Sequence, residues 1–333
     1  GGLEMAQGIK ACRRLQMGKE TTPGEAAAAT TYWRGVGTIQ DGLLTVFPQE
    51  DIGILPGVDR SYIPKYEALL TLESTPATFQ QLPYLFEMGI ASATPTTDTG
   101  SASVYTYTFP TSCTDIYVST DLATYTWEGG DNAQAEEFAY GFLRSMTLSG
   151  VAGEALMMSA EIVGRQVSTT DFTADQGIPT VTEILFSKGS LCIDDTDTNP
   201  ATSQISNEFL TMDLSITSGW VPVYTADGSL YFSFVKQTSP EVILTITFEY
   251  NTSSIAEIAN WRAGTARVIR LQFDGDTGDK VLIDMAGKWD NFQKLGERDG
   301  NDVVQGTFRA RYNDTATLFF VAAIYCATIE ALP

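Results

Sequence analysis

A repeated strand-and-helix segment constrains the fold of this chain more than any other feature. Residues 66–89, YEALLTLESTPATFQQLPYLFEMG, are followed by a similar stretch at residues 241–264, EVILTITFEYNTSSIAEIANWRAG. In each copy apolar and polar residues alternate, which predicts a half-buried strand, and a helical pattern follows. Glu73 aligns with Glu249, 176 positions later in a chain of 333 residues. We therefore expect a tandem duplication and two similar domains, with Glu73 and Glu249 ending equivalent strands.

The residues after each repeated strand predict one helix per copy. In the first copy Thr75-Pro76 opens the helix, and in the second Asn251 begins a polar stretch with helix-capping chemistry. Each helix is expected to pack on its own sheet through one apolar face. These faces consist of Phe79, Leu82 and Leu85 in the first copy and of Ile255 and Ile258 in the second.

Strand patterns dominate the rest of the chain. Hydrophobic residues make up 43% of the sequence and charged residues 18%, which favours a globular protein, and the many threonines and aromatic residues favour strands. We expect a mainly β fold with two tandem β-sandwich or barrel domains, each with one flanking α-helix. The expected boundaries are an N-terminal arm over residues 1–30, a first domain over 31–172, a linker over 173–180 and a second domain over 181–333.

A β-hairpin over residues 137–163 is the clearest predicted strand pair. Both of its strands alternate between apolar and polar residues, and the turn 150–153 joins them. We expect the apolar face to belong to the core and the opposite face to meet water. The water-facing residues are Ser145, Thr147, Ser149, Ser159 and Glu161.

Three other segments yield structural expectations. Small and helix-breaking residues in the arm indicate a segment laid over another surface rather than core. A long loop at residues 47–64 precedes the first repeated strand, and residues 218–240 form a loop at the corresponding place before the second. The strand pattern at residues 317–326 is apolar on both faces, so we expect a helix or a neighbouring subunit to bury it on both sides.

The composition excludes several kinds of chemistry. The chain has no histidine, which removes the commonest general base and the commonest metal ligand. A net charge of −21 argues against a protein that holds nucleic acid, and solubility is the simplest reason for that charge. The four cysteines form no CxxC pair, so neither a zinc knuckle nor a dithiol redox site is expected.

No catalytic, cofactor-binding or metal-binding residue is therefore assigned. The acidic segment 274–279 resembles a calcium loop, but Gly278 stands where a ligand is needed and Met285 where the last acidic ligand belongs, so we expect a polar turn. No signal peptide and no apolar run of membrane-spanning length is recognised, which indicates a protein made and kept in the cytosol. Strand-rich units with long loops and apolar surface to cover point to assembly.

The layout resembles that of the tail tube proteins of siphovirus-type phages, in the variety that carries two tube domains in one chain. The resemblance is carried by the arm at residues 8–39, the loop 53–64 ahead of the first repeated segment, the hairpin 138–166 and the second strand-helix unit. It covers essentially the whole chain. It is a resemblance of layout, because this family has no invariant chemical motif.

The resemblance implies a structural virion protein that associates with copies of itself. In this family β-sandwich or small barrel domains close side by side into a ring, long hairpins line a central channel, and rings stack into a tube. A ring with six domain positions would hold three two-domain chains. The five polar hairpin residues are then the candidate lumen face, past which DNA moves without specific binding.

The same resemblance implies the remaining partners and the location. The partners are the tape measure, tail terminator and tail tip proteins, with no cofactor and no membrane. The location is the virion tail, after assembly in the host cytoplasm.

Three functions from other classes are alternatives. A secreted or surface-layer β-sandwich adhesin would share the strand content and the low isoelectric point, and a signal peptide would distinguish it. A carbohydrate-active β-sandwich enzyme would need a carboxylate pair in a cleft and would act on polysaccharide panels. An outer-membrane barrel would need a lipid-facing apolar band.

Overall fold

Antiparallel strands make up most of the molecule in a computed structural model that describes residues 8–98, 102–205, 207–276 and 278–327. Strands account for 48% of the chain and helices for 8%, and there are two α-helices in the part described. Every strand pair in that part is antiparallel. The predicted mainly β class is confirmed.

The elements fall into two halves of the chain, residues 8–172 and residues 181–327. The first half contains β1 (Arg14–Lys19), β2 (Thr31–Tyr32), β3 (Gly37–Asp41), β4 (Ala68–Pro76), α1 (Leu82–Gly89), β5 (Thr96–Thr97), β6 (Ser103–Thr108), β7 (Tyr125–Gly130), β8 (Ala135–Val151), β9 (Met157–Gly164) and β10 (Ser168–Thr170). The second half contains β11 (Gly189–Asp195), β12 (Gln204–Ile205), β13 (Phe209–Thr217), β14 (Trp220–Val223), β15 (Phe234–Gln237), β16 (Glu241–Glu249), α2 (Thr252–Ala263), β17 (Arg267–Asp274), β18 (Lys280–Arg298), β19 (Asn301–Ala310) and β20 (Phe320–Cys326).

Strand order repeats between the two halves. In the first half β3, β4, β9 and the end of β8 pair in that order, while the start of β8 pairs with β7 and β10, and β7 pairs with β1. In the second half β13, β16, β19 and the end of β18 pair in the same order, while the start of β18 pairs with β17 and β20, and β17 pairs with β11. The predicted equivalence of the two repeated strands, β4 and β16, is therefore confirmed in strand order.

One strand pair joins the two halves into a continuous sheet. The end of β8 pairs with β13 over seven residues on each strand, from Thr211 opposite Val151 to Thr217 opposite Ser145. This gives the eight-strand order β3-β4-β9-β8-β13-β16-β19-β18. A second connection between the halves is the pairing of β20 with β6.

The apolar sides of these strands share one hydrophobic core. Its buried members come from both halves, among them Leu70, Leu148, Leu214, Leu244 and Phe308. Burial of side chains of this size is the main stabilising term in such a fold. Because residues of both halves occupy the same core, the division into two domains, with its linker over residues 173–180, stays a prediction.

The first helix begins later than expected. The predicted start at Thr75-Pro76 is wrong, because these residues extend β4 and pair with Met158 and Met157 of β9. Glu73 therefore lies before the end of β4, in the stretch where the register shifts, whereas Glu249 does end β16. The predicted apolar residues are nevertheless buried: Phe79 precedes α1, and Leu82 and Leu85 lie within it.

The second helix begins with the expected capping chemistry. The Asn251 side chain accepts hydrogen bonds from the backbone N–H groups of Ser253 and Ser254, and the Ser254 hydroxyl accepts one from the Asn251 backbone. Ile258 is buried, as predicted, but Ile255 is 49% exposed. The prediction for Ile255 is wrong because the helix turns the carboxylate of Glu257 toward the sheet.

Two other expectations need correction. Residues 14–19 of the predicted arm form the strand β1, which pairs with β2 and β7, and Leu15 and Met17 are buried because they pack in the hydrophobic core. The strand predicted at residues 317–326 is β20 from Phe320 onward, and no element of the described chain buries its second side, so the expected cover by a helix is wrong and cover by a neighbouring subunit stays a prediction. Alternate residues such as Val321 and Tyr325 are half-exposed, because the core covers only one side of the strand. Residues 1–7 of the arm and 328–333 at the chain end lie outside the described residues.

Candidate assembly surface

The hairpin predicted from the sequence is present and carries the five candidate residues on one face. β8 pairs with β9 so that Ser145 lies opposite Glu161 and Thr147 opposite Ser159. Ser149 continues the same face at the end of β8. All five are half-exposed, whereas the residues between them are buried, namely Met146, Leu148, Met158, Ala160 and Ile162. The structure thus brings the candidate residues together on one water-facing surface.

This polar face extends beyond the hairpin into the second half of the chain. β13 places Thr217 opposite Ser145, Ser215 opposite Thr147 and Asp213 opposite Ser149. On the next strand, β16, the face continues with Thr245 and Thr247. We call the water-facing side of the eight-stranded sheet the polar sheet face.

The sequence analysis missed this extension because it considered the hairpin alone. The signal was available in the alternation of polar and apolar residues over 209–217 and 241–249, which matches that of the hairpin. What the alternation could not reveal is that β8 and β13 are neighbours, since the two strands are far apart in sequence.

Arg144 was also missed, and it lowers the negative charge of the polar sheet face. It lies where the register of β8 and β9 shifts, and its guanidinium contacts Glu161 at 3.0 Å and Glu67 at 2.8 Å. Lys65 contacts Glu67 at 3.1 Å from the other side. Burial alone raises the pKa of Glu67, but the hydrogen bonds from Lys65 and Arg144 outweigh it, so this pKa lies below its ordinary value.

The same network fastens the loop between β13 and β16 to the first half of the chain. The Tyr224 hydroxyl donates a hydrogen bond of 3.2 Å to Glu67. Burial, together with the negative charge of Glu67, raises the pKa of Tyr224 to about 12, so this hydroxyl keeps its proton at neutral pH. The loop is therefore docked across the junction between β8 and β13.

Both ends of the eight-stranded sheet have an edge without a partner within the described ranges. β3 pairs with β4 on one side only, and β18 beyond Gly287 pairs with β19 on one side only. Each edge presents backbone N–H and C=O groups that another strand could bind, apart from the Asp290 carbonyl of β18, which accepts a hydrogen bond from the Trp261 indole at 3.1 Å. An exposed strand edge at each end is the arrangement that permits side-by-side association of copies.

A buried glutamate on each helix fixes the helix to its sheet. Glu87 of α1 accepts hydrogen bonds from Lys19 at 2.7 Å and from the Tyr125 hydroxyl at 2.9 Å. Glu257 of α2 contacts Arg267 at 2.9 Å and accepts a hydrogen bond from the Trp289 indole at 2.8 Å. In both halves the carboxylate has donors at close range, so these buried acids serve packing.

The rest of the described chain offers little for ligand chemistry. No group of three or more cysteine, aspartate or glutamate side chains suited to a metal ion is found among these residues. In the acidic turn at 274–279, Asp274 accepts hydrogen bonds from Gln272 and Asp276 pairs with Lys188. None of the helices described has the length and apolar character needed to cross a membrane.

The sequence was also compared with known proteins. It matches no protein-family model and none of the curated proteins.

Proposed function

We propose that this chain is a structural subunit that associates with copies of itself into rings, which stack into the tube of a siphovirus-type phage tail. The observation that carries the proposal is the eight-stranded sheet, which has one polar face and, among the described residues, an edge at each end that pairs with no other strand. A sheet of this length with two free edges invites pairing with other chains, and closure into a ring makes that pairing the native state.

The polar sheet face is suited to line a channel for DNA. Four of its five candidate side chains at the hairpin are small hydroxyls, which water can wet and which carry no positive charge to hold phosphate. The one acidic member of the candidate set, Glu161, is paired with Arg144, while the chain as a whole carries a net charge of −21. Such a wall neither binds DNA nor repels it strongly at close range.

The proposed ring contains three chains. Each chain contributes two four-stranded units with the same strand order, so three chains supply six units around a channel. The proposal implies a location in the virion tail after assembly in the host cytoplasm. It also implies contacts with tape measure, tail terminator and tail tip proteins, and it needs no enzyme activity and no cofactor.

The channel proposal is tested by adding positive charge to the candidate lumen face. Thr147→Lys combined with Ser159→Lys should leave ring assembly intact, because half-exposed surface substitutions cost little stability. DNA ejection from tails that carry this variant should be slower, since fixed positive charges then line its path.

The matched control combines Ser168→Lys with Thr169→Lys, which adds two lysines at exposed positions on β10, away from the polar sheet face. Tails with the control should eject DNA at the parental rate. Ejection at the parental rate by normally assembled Thr147→Lys, Ser159→Lys tails would mean that another surface lines the channel. Purified protein that stays as single particles would favour the adhesin instead.

A further inference from the structure

The junction between β8 and β13 consists of a strand pair and a docked loop. The loop between β13 and β16 lies against the first half of the chain, where Phe232 contacts Tyr140 at 5.0 Å and Phe142 at 5.9 Å between ring centroids. Arg165 holds the loop by donating to the carbonyls of Phe232 at 3.1 Å and Ser233 at 2.7 Å. Its guanidinium also lies over the Tyr140 ring at 4.7 Å.

The second half of the chain contains the counterpart of this docking surface, but no segment of the described residues occupies it. The register of β8 and β9 shifts directly after Leu143 pairs with Ile162, and the register of β18 and β19 shifts directly after Trp289 pairs with Phe308. Aligning these two shifts relates each residue of the first hairpin to the residue 146 positions later. At this spacing Arg165 corresponds to Arg311. The same spacing relates Phe142 to Lys288 and Val163 to Arg309.

These counterparts line an open groove of about 350 Å³. Its walls include Lys288, Arg309 and Arg311, so it is cationic where the first-half surface is apolar. Arg309 is already paired with Glu241 and Asp290, but Arg311 is exposed, and its guanidinium donates only to the Ala310 carbonyl among the residues described. The groove therefore has the counterpart of the arginine that holds the loop in the first half, but no loop in the described part of the chain lies in it.

The loop that corresponds to the docked one lies at residues 42–67, between β3 and β4. The two arms of this loop approach each other at the bridge between Val46 and Tyr62, much as β14 and β15 pair in the docked loop. It exposes large apolar side chains, namely Leu43, Leu44, Phe47, Ile52, Ile54, Leu55 and Tyr62. It also carries four carboxylates and two cationic side chains, a net charge of −2 that suits a cationic groove.

We propose that a second copy of this chain forms an equivalent junction between chains. In this junction β3 of one copy pairs with the free edge of β18 of the next, and the loop 42–67 enters the groove at Arg311. The internal junction of β8 with β13 is the template, because β3 and β18 are the counterparts of β13 and β8. This inference deepens the proposed ring by naming the surfaces that meet in it.

The template also gives the register of the intermolecular strand pair. Within the chain, Thr147 lies opposite Ser215. The counterparts of these residues are Gln293 on β18 and Gln40 on β3, so Gln40 of one copy is expected opposite Gln293 of its neighbour. Directly opposed residues of antiparallel strands have Cα atoms roughly 4.5–5.5 Å apart, which is within the range of a disulfide.

Cysteine cross-linking tests this register. The exposed Cys12 and Cys113 are first replaced by serine, and Gln40→Cys and Gln293→Cys are then made in separate chains. On oxidation with diamide, an equal mixture of the two variants should give a covalent dimer on non-reducing gels, and neither variant alone should. A chain with both substitutions should give covalent multimers.

The matched control replaces Gln293→Cys with Gln305→Cys. Gln305 is exposed and lies opposite Gln293, one strand further from the free edge, so its Cα should be about 10 Å from that of Gln40 of the neighbour, too far for a disulfide. Equal cross-linking of Gln40→Cys with either partner, or no cross-linking with Gln293→Cys, overturns the inference.

Arg311→Ala tests the loop contact separately from the strand pair. The Arg311 side chain has no other hydrogen bond or ion pair in the described chain, and its backbone bond to Ala286 survives the substitution, so the variant should fold normally. It should nevertheless need at least about tenfold more protein to assemble, as expected for the loss of one charge-assisted contact. Arg262→Ala, at an exposed arginine of α2, should assemble as the parent does. Parental assembly of Arg311→Ala overturns the loop contact.

The failures of the two proposals are distinguishable. Gln40–Gln293 cross-links in particles that do not form tubes would support the interface and contradict the tail tube function. Tubes that assemble without these cross-links would support the function and contradict the interface.

Discussion

Removing the buried carboxylate of Glu257 is expected to loosen α2 from its sheet. The Glu257 side chain is 6% exposed and accepts hydrogen bonds from both Arg267, at 2.9 and 3.2 Å, and Trp289, at 2.8 Å. Glu257→Ala would leave the Arg267 guanidinium, which is 10% exposed, without its buried partner. It would also leave the Trp289 indole N–H without an acceptor.

The expected loss in free energy of unfolding is about 4 kcal/mol. Breaking a buried ion pair by removing one partner costs about 3–5 kcal/mol. The lower end of this range applies because Arg267 also pairs with Asp195, and that ion pair remains in the variant. The unpaired indole N–H adds about 1 kcal/mol. Glu257→Gln should cost less, since the amide oxygen still accepts one hydrogen bond.

Urea unfolding followed by tryptophan fluorescence measures this loss. Ile255→Ala is the control in the same helix, because Ile255 is 49% exposed and its truncation should cost less than about 0.5 kcal/mol. Glu87→Ala, in the other half, should cost less than Glu257→Ala, since the Lys19 side chain is 32% exposed and can turn to water. A cost below about 1 kcal/mol for Glu257→Ala, or one equal to that of Ile255→Ala, would refute the account of this ion pair.

Two further predictions concern the second helix and the Arg144 network. Asn251→Ala should lower the free energy of unfolding by about 1 kcal/mol, because it removes the side chain that caps α2, and Asn251→Ser should restore most of it in the same urea titration. The pKa of Glu67 is lower in the folded chain than its ordinary value of 4.5, so its stabilising effect is complete above that value and is lost as the pH falls through the folded pKa. Glu67→Gln should therefore flatten the decline in stability below about pH 5, and an unchanged pH profile would contradict the network.

The repeat was the part of the fold that the sequence predicted best. Alternation over residues 66–73 and 241–249 identified equivalent strands, because one-sided burial imposes a period of two on any strand. Helix positions were less accurate: Thr75 and Pro76 resemble a helix start locally, but a register shift carries them on into β4. Ile255 fitted the apolar face predicted for α2. The hydrogen bonds of Glu257 to Arg267 and Trp289 instead orient the helix so that Glu257 faces the sheet and Ile255 is partly exposed.

The candidate surface was predicted only in part, because part of it depends on contacts between residues that are distant in the sequence. The polar hairpin face followed from local alternation. Its continuation across β13 depends on a pairing between strands separated by some sixty residues, which no local pattern encodes. The role of Arg144 likewise depends on Glu67 and Glu161, which are brought to it by the end of the loop 42–67 and by β9.

Electron microscopy of the purified protein, combined with native mass measurement of isolated rings, tests the central claim most directly. The account predicts hollow tubes whose end views show rings of six similar units, and a ring mass of three chains. Six chains per ring would contradict the placement of both halves around the channel, and particles of a single chain at every concentration would contradict the assembly itself.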